Sequence, residues 1–140
     1  FMDLEKAHPF SAADVSIIIH ATEDENKILD AIGSILSIDT DRFRHMESTG
    51  HWRNRISLLT GNLESDEANR LAQKILSSLS SVERDQFSNS SHSLIDEKGN
   101  LFLRLDKQRI CQGRISLSES DSIRVKFKRV MRFNGNRNFE

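Results

Sequence analysis

The sequence has little cysteine, proline or glycine: one cysteine, one proline and six glycines in 140 residues. The single cysteine, Cys111, excludes an internal disulfide and a cysteine-based zinc site within one chain. The few prolines and glycines argue against a disordered or low-complexity protein. The longest apolar run, Ile17–Ile19, is far too short to span a bilayer, and the acidic Asp3 and Glu5 do not fit a signal peptide. We therefore expect a soluble intracellular domain with no membrane partner.

Motifs of catalysis and cofactor binding are also missing. The chain has no P-loop and no Gly-x-Gly-x-x-Gly run that would bind a nucleotide. Its five histidines lack the spacing of metal ligands, although His20 and His45 lie on predicted strands and could approach each other across a sheet. No set of residues indicates a catalytic mechanism. We expect no enzymatic activity, no cofactor and no metal.

Charge is unevenly distributed along the chain. Hydrophobic residues make up 36% and charged residues 29%, which is enough for a core with a well-solvated exterior. Residues 1–100 contain 10 basic and 17 acidic residues, whereas residues 101–140 contain 10 basic and 4 acidic ones. A basic segment of this kind suggests a polyanionic partner, of which nucleic acid is the commonest. The alternative is that basic strands offset acidic helices within one fold.

Hydrophobic periodicity predicts helices inserted between hairpins. Residues 23–37 and 65–79 carry apolar residues three and four apart, which indicates two amphipathic helices. Alternating or apolar runs predict strands at residues 14–20, 42–49, 55–63, 91–96, 100–106 and 122–130. This order predicts one α+β domain over residues 14–130, with an antiparallel or mixed sheet and the two main helices packed on one face. Residues 1–13 and 131–140 are predicted to be a flexible N-terminal arm and a flexible C-terminal tail.

Three local signals refine this pattern. Thr22, followed three residues later by Glu25, is a capping box that predicts the start of the first helix. Because Ile18 on the second face of the first strand is also apolar, that strand is predicted to be buried on much of both faces and central in its sheet. Residues 107–112 are predicted to form one helical turn that stops at Gly113.

The basic residues of the last strand share one of its faces. Alternation places three of them together, Arg124, Lys126 and Lys128. In the preceding strand Phe102 and Arg104 share a face in the same way, and Lys107 follows shortly after. If the apolar rows face the helices, these side chains lie on the open side of the sheet. Basic groups bind phosphates and an interleaved aromatic ring stacks on a base, which favours RNA binding. The alternative is that the charges protect an exposed strand from edge-to-edge aggregation.

A second candidate surface is the loop between the second and third strands. Its tryptophan, Trp52, is the only one in the chain and stands beside Arg53 and close to Arg55. A loop tryptophan next to arginines could stack on unpaired RNA bases. It could equally cover the end of the core, because position in a loop hints at function without proving it.

Residues 19–25, 99–108 and 123–127 read Ile-His-Ala-Thr-Glu-Asp-Glu, Gly-Asn-Leu-Phe-Leu-Arg-Leu-Asp-Lys-Gln and Ile-Arg-Val-Lys-Phe. In this order and spacing they resemble an archaeal family of small proteins described as predicted RNA-binding proteins or predicted exosome subunits. The resemblance extends over residues 14–130, and the Leu-x-Leu-Arg-Leu-Asp-Lys-Gln run is its most specific piece.

The resemblance implies an archaeal, cytoplasmic protein with a fold like that of the ribosomal large-subunit protein that binds the small ribosomal RNA. It implies association with RNA and no established catalytic activity. We therefore expect a non-catalytic RNA-binding protein in RNA processing or ribosome-related work, which contacts phosphates through its basic C-terminal strand. The alternative is a homodimeric protein-interaction or scaffold subunit of a larger complex without direct RNA contact. The candidate RNA-binding residues are Phe102, Arg104, Lys107, Arg124, Lys126 and Lys128, with Trp52, Arg53 and Arg55 in the loop.

Overall fold

The computed structural model describes residues 9–49, 54–118, 120 and 122–130, with the backbone alone at residues 90–93. Within those residues the elements are, in chain order, β1 (Phe10–His20), α1 (Glu25–Ile35), β2 (Arg44–Thr49), β3 (Arg55–Glu64), α2 (Ser65–Ser78), α3 (Ser81–Leu94), β4 (Leu101–Asp106), α4 (Lys107–Cys111) and β5 (Ser122–Arg129). The strands form one sheet in the order β2-β3-β1-β5-β4, and every neighbouring pair is antiparallel. The predicted α+β class is confirmed, and β1 is central in the sheet as expected. The predicted burial of both faces of β1 is wrong, because Ile18 on the second face is 36% exposed.

Alternation along the strands directs every second side chain towards the helices. In the register of the sheet, Ile17 of β1 lies between Leu59 of β3 and Ile123 of β5, which in turn faces Leu105 of β4. All four side chains are buried. The apolar stripes of α1 and α2 belong to the same buried cluster as these strand residues. Both main helices therefore pack on one face of the sheet, as predicted, and no described element covers the other face.

Helix α1 begins at Glu25, two residues later than predicted. Its N-cap is Asp24, because the Asp24 carboxylate accepts a hydrogen bond from the amide of Lys27 at 3.2 Å. The capping box predicted from Thr22 and Glu25 is therefore wrong. Threonine and aspartate are both good N-caps, so the run Thr-Glu-Asp-Glu leaves the cap position open until the backbone geometry is known.

Strand β1 begins at Phe10, inside the segment predicted to be a flexible arm. The Phe10 ring is buried against Phe127, with ring centroids 5.0 Å apart. Its amide donates to Oδ1 of the buried Asn69 on α2 at 3.2 Å, and its carbonyl accepts from Nδ2 of the same side chain at 2.9 Å. The predicted arm is therefore wrong for residues 10–13, which these long-range contacts hold in the sheet. Residues 1–8 and the predicted tail lie outside the described residues.

The serine-rich segment 77–93 contains most of α3. Ser80 caps this helix, since its Oγ accepts from the amide of Glu83 at 3.2 Å and its own amide donates to the Glu83 carboxylate at 3.4 Å. Because α3 covers the first four residues of the predicted strand 91–96, that strand is wrong. What remains of it is an isolated bridge at Ile95.

The predicted helical turn after β4 is confirmed as α4. The carboxylate of Asp106 caps it by accepting from the amide of Arg109 at 3.0 Å, and Gly113 follows with a φ of 82°, a conformation that favours glycine. The longest described helices, α2 and α3, have 14 residues each, and no helix in the described ranges is both long and apolar enough to cross a membrane.

Candidate nucleic-acid interface

The open face of the sheet carries the basic residues of β5. Pairing with β4 places Lys126 opposite Phe102 and Arg124 opposite Arg104. Phe102 and both arginines are exposed, while Lys126 and Lys128 are half-buried. Residues opposite each other in an antiparallel pair point to the same side, so these five side chains share one face. The structure thus brings together most of the predicted site residues, and it does so on the side away from the helices.

The Phe102 ring is accessible on this face, with 40% of the residue exposed. The Lys126 ammonium lies 5.6 Å from the ring centroid, within the range of a cation–π interaction. An exposed ring next to a cation offers a π-face to a nucleobase and a positive charge to the neighbouring phosphate. This pair therefore has the two chemical groups that single-stranded nucleic acid requires.

Arg104 and Arg124 form a like-charged pair across β4 and β5. Like charges directly opposite each other on one face of an antiparallel pair are destabilising. Each guanidinium presents a planar fork of donors that matches the oxygens of a phosphate. A phosphate above this pair would be attracted by both groups, which makes the pair a suitable anion site.

An acidic residue lies among these cations. Asp14 of β1 is opposite Lys126, its Oδ2 is 3.1 Å from the Nζ of Lys128, and its Oδ1 accepts from the side-chain Nδ2 of Asn62. The ion pair is partly exposed, with 44% of the lysine and 37% of the aspartate side chain accessible. Exposed pairs of this kind contribute about 0–1 kcal/mol, so Asp14 competes only weakly with an incoming phosphate.

The turn that precedes β4 is held by Asp96. Its carboxylate accepts hydrogen bonds from the amides of Asn100 and Lys98, each at 2.9 Å. The bond from Asn100 is the main reason why the pKa of Asp96 lies below its usual range, and the positive charge of Lys126 lowers this pKa further. The ionised carboxylate fixes the entry into β4 and thereby the position of Phe102.

The prediction that Lys107 lies on the RNA-binding surface is wrong. Its side chain is 1% exposed, and its Nζ donates to the carbonyl of Ile18 at 2.7 Å and to Oε1 of Glu23 at 2.8 Å. Gln108 donates to the other oxygen of Glu23 at 3.3 Å. An ammonium buried among internal acceptors is not accessible to a phosphate. Lys107 instead ties α4 to the end of β1 and to the segment before α1.

This contact joins two of the three segments that carry the family resemblance. Residues 19–25 and 99–108 meet where Glu23 binds Lys107. Within the second segment Asp106 caps α4, and the next two residues both bind Glu23. The most specific part of the resemblance is therefore largely a structural tie at one end of the sheet.

The loop candidates do not join the basic face within the described residues. Trp52 and Arg53 lie outside those residues. Arg55 is the first residue of β3 and lies two positions before buried Ser57, so both side chains are on the helix-bearing side of the sheet. There its Nε is 3.8 Å from Oε1 of Glu47. The structure therefore separates Arg55 from the basic residues of β5.

Arg44 and Met46 of β2 are absent from the predicted set, yet both lie on the open face. Arg44 is opposite Thr60, Thr60 is opposite Ser16, and Ser16 is opposite Arg124. Arg44 is exposed, and Met46 is 62% exposed. Alternation in the sequence groups these two side chains on one face of β2. Only the register of three strand pairs, β2 with β3, β3 with β1 and β1 with β5, shows that this is the face that carries Arg124.

The two strand histidines, His20 and His45, line one cavity of about 230 Å³. Carboxylates that include Glu25 and Glu47 line the same cavity. The Nε2 of His45 lies 3.4 Å from Oε1 of Glu25 and 3.9 Å from Oε2 of Glu47. Across the described part of the chain, no group of three or more histidine, cysteine or acidic side chains could hold a metal ion.

Comparison with known proteins gives a consistent set of relatives. A family model described as RNA binding matches residues 12–129. An RNA-binding protein of Pyrococcus abyssi is 26% identical over 122 residues, which cover 81% of this chain and 79% of that protein. A solved structure from Archaeoglobus fulgidus, of family DUF54, is 27% identical with a TM-score of 0.73 over 92% of each chain. A DUF54 structure from Sulfolobus solfataricus is 30% identical with a TM-score of 0.69, over 84% of this chain and 86% of that one.

Proposed function

The chain belongs to the RNA-binding family whose model covers residues 12–129, and from this membership we propose that it binds RNA on the open face of its sheet and catalyses no reaction. The observation that carries the proposal is the cross-strand pairing of two arginines beside an exposed phenylalanine and a lysine. A base stacks on the phenylalanine and the cations bind phosphates. The residues assigned to these contacts are Phe102, Arg104, Arg124, Lys126 and Lys128.

The opposite side of the domain has the wrong sign for this role. Helices α1 to α3, with their N-caps, carry more acidic than basic side chains. Exposed examples are Asp24, Asp30, Asp66 and Asp85. Negative charge on the helices repels a polyanion and directs it to the basic face. The separation of charge along the sequence therefore supports one RNA-binding face and one solvated face.

Binding of fluorescently labelled single-stranded RNA of about 12 nucleotides, followed by anisotropy over a series of salt concentrations, tests this function. The double variant Lys126→Ala, Lys128→Ala should weaken binding to every sequence by a similar factor, because phosphate contacts carry no base information. It should also lower the slope of log affinity against log salt by about 0.7 for each phosphate that the variant no longer binds. The matched control Lys27→Ala, Arg70→Ala removes the same charge from α1 and α2 and should leave the slope unchanged.

Phe102→Ala separates stacking from charge. If a base stacks on the ring, the substitution should weaken binding by about 1–3 kcal/mol without changing the salt slope. Thermal unfolding of the variant is measured in parallel. If the wild-type protein binds no RNA even at low salt, the proposed function is wrong. If it binds RNA and the double lysine variant binds equally well, the surface is wrong, and Trp52 with Arg53 is the next surface to test.

The cellular setting belongs to the same proposal. RNA processing or ribosome-related work in the cytoplasm, as part of an exosome or a similar complex, is what the sequence resemblance implies. Crosslinking in cells, followed by identification of both the bound RNA and the bound proteins, tests this setting directly. Recovery of neither ribosomal nor processing-related RNA would contradict it while leaving RNA binding itself intact.

One observation favours the second candidate function, a homodimeric or scaffold subunit without RNA contact. Strand β2 lies at one edge of the sheet, and all six of its residues are exposed. An edge strand presents backbone donors and acceptors that can pair with another chain. Light scattering at several protein and salt concentrations distinguishes the two functions, because phosphate contacts weaken steeply with salt and a backbone-paired interface does not.

A further inference from the structure

A row of basic and hydroxyl side chains crosses the whole open face, and we refer to it as the arginine row. It contains one residue from each strand, in sheet order Arg44, Thr60, Ser16, Arg124 and Arg104. Neighbouring strands are about 4.8 Å apart, so the row is about 19 Å long. The three arginines are exposed and lie towards its two ends, with the two hydroxyl groups between them.

An apolar row runs beside the arginine row on the β2-β3-β1 half of the sheet. It consists of Met46, Leu58 and Ile18, which lie opposite one another. Met46 is 62% exposed, Ile18 is 36% exposed and Leu58 is half-buried. The two rows are separated by two residues along each strand, about 6.7 Å. At the other end of the arginine row, and on its opposite side, the exposed apolar group is the ring of Phe102.

From these two rows we infer that RNA is bound as a single strand that crosses the sheet at right angles to its strands. The phosphates follow the arginine row, while the bases contact Phe102 on one side of it at the β4 end and the apolar row on its other side at the β2 end. The inference rests on the proposed function and adds the path, the length and the strandedness of the RNA. A path of about 19 Å fits a short site of about four nucleotides. The hydroxyls of Thr60 and Ser16 can donate to the phosphates between the arginines.

The apolar row distinguishes a single strand from a duplex. In an RNA duplex the base faces are stacked inside the helix, and the protein meets sugars and phosphates. Unpaired bases, in contrast, can lie with their faces on Met46 and Ile18 while their phosphates reach the cations one row away. Arg44 beside the apolar row and Arg124 on the strand next to β1 make a polyanion the better occupant than a neutral protein surface, because an apolar protein patch would bury their charge without compensation.

The experiment uses uridine oligomers of about 2 to 12 nucleotides and a duplex of the same length as the longest oligomer. Affinity for the single strand should rise steeply up to about four nucleotides and slowly beyond. Arg44→Ala should weaken single-strand binding about three- to tenfold and lower the salt slope by about 0.7. Arg70→Ala, on α2, is its matched control and should have no effect.

Met46→Ala should weaken single-strand binding about fourfold, the equivalent of one methylene group removed from water, with an unchanged salt slope and unchanged binding to the duplex. Val82→Ala is its control, because Val82 on α3 is 64% exposed on the opposite side of the domain. Both positions are exposed, so the variants should fold, and circular dichroism melting checks this.

The outcomes separate the inference from the proposed function. If Lys126→Ala, Lys128→Ala weakens RNA binding while Arg44→Ala and Met46→Ala bind like the wild type, the path across the sheet is wrong and the proposed function stands. If Met46→Ala lowers the molecular mass in solution without weakening RNA binding, the apolar row is a protein interface and the inference is overturned. If the wild type binds no RNA, both fail. Length dependence with a break near four nucleotides, together with weaker binding by both variants, supports the inference.

Discussion

Replacing Lys107 by methionine removes an ammonium group from the interior while keeping a side chain of similar length. The substitution eliminates the hydrogen bonds of Nζ to the Ile18 carbonyl at 2.7 Å and to Oε1 of Glu23 at 2.8 Å. The Glu23 carboxylate keeps the amide of His20 at 2.9 Å and the Nε2 of Gln108 at 3.3 Å. We expect a large loss of stability and, for the protein that remains folded, an unchanged affinity for RNA.

The size of the loss follows from burial. Removing one partner of a buried ion pair costs about 3–5 kcal/mol, because the other charge is left without compensation. The Glu23 side chain is 14% exposed and retains two donors, which places the cost at the lower end, about 3 kcal/mol. For a domain of this size that corresponds to a decrease in Tm of about 10 °C. It is a large part of the total stability of about 5–15 kcal/mol that is usual for such domains.

Urea unfolding followed by far-ultraviolet circular dichroism measures this loss. The midpoint should fall while the slope with denaturant stays the same, since the same surface is exposed on unfolding. Lys27→Met, the same change at an exposed position of α1, should alter stability by less than about 0.5 kcal/mol. Adding Glu23→Gln to Lys107→Met should recover part of the stability, because an amide does not leave a charge buried.

Two results would refute this reasoning. A loss below about 1 kcal/mol would mean that the contact between Lys107 and Glu23 contributes no more than an exposed ion pair. A folded Lys107→Met variant with weaker RNA binding and a lower salt slope would mean that Lys107 reaches a phosphate, as the sequence predicts, and that its burial is not maintained in the complex.

Three further predictions concern single side chains. Asp14→Asn should raise RNA affinity about two- to fivefold in the anisotropy assay, because it removes a negative charge 3.1 Å from the ammonium of Lys128, and an unchanged affinity would show that Asp14 does not compete with RNA. Asp24→Ala should cost about 1 kcal/mol in thermal unfolding and Thr22→Ala less than about 0.5 kcal/mol, whereas the reverse order would restore Thr22 as the cap of α1. Burial raises the pKa of Glu83, but hydrogen bonds from Leu117, Ser116 and Ser80 together outweigh this and hold the pKa below its usual value of 4.5. The stability that these bonds provide is therefore complete above about pH 4.5 and is lost as the pH falls through the folded pKa, so Glu83→Gln should flatten the acid side of the stability curve, and an unaltered curve would contradict the role of these bonds.

The faces of β4 and β5 can be predicted from the sequence because their alternation is strict. Apolar and basic residues take turns from Ile123 to Lys128, so one face must be buried and the other open. The other residues of the site are placed by the register between strands. Asp14 and Arg44 join the basic face only through the pairing of β1 with β5 and of β2 with β3. Periodicity within one strand contains no information about that pairing.

Contacts between distant residues set a second limit. Lys107 binds Glu23 across 84 positions, and Phe10 binds Asn69 across 59. Because a lysine is usually exposed, the sequence alone favours a surface role for Lys107. The fold instead buries it against two acceptors, the Ile18 carbonyl and the Glu23 carboxylate. Likewise, residues 10–13 have no apolar alternation. They form a strand because β5 pairs with them and Asn69 of α2 binds the backbone of Phe10. Such residues can be placed only once the fold is known.

The central position of β1 and β5 determines when the domain can be completed during synthesis. Val15 pairs with Val125, so these two neighbouring interior strands come from opposite ends of the described chain. Pairing over such a separation is slow compared with local contacts, and the chain emerges from the ribosome N-terminus first. Strand β1 can pair with β3 early, but its other edge stays open until residue 129 has been made. The lysines of β5 reach their face in the same event that closes the sheet, so a nascent chain has no assembled surface for RNA before its fold is finished.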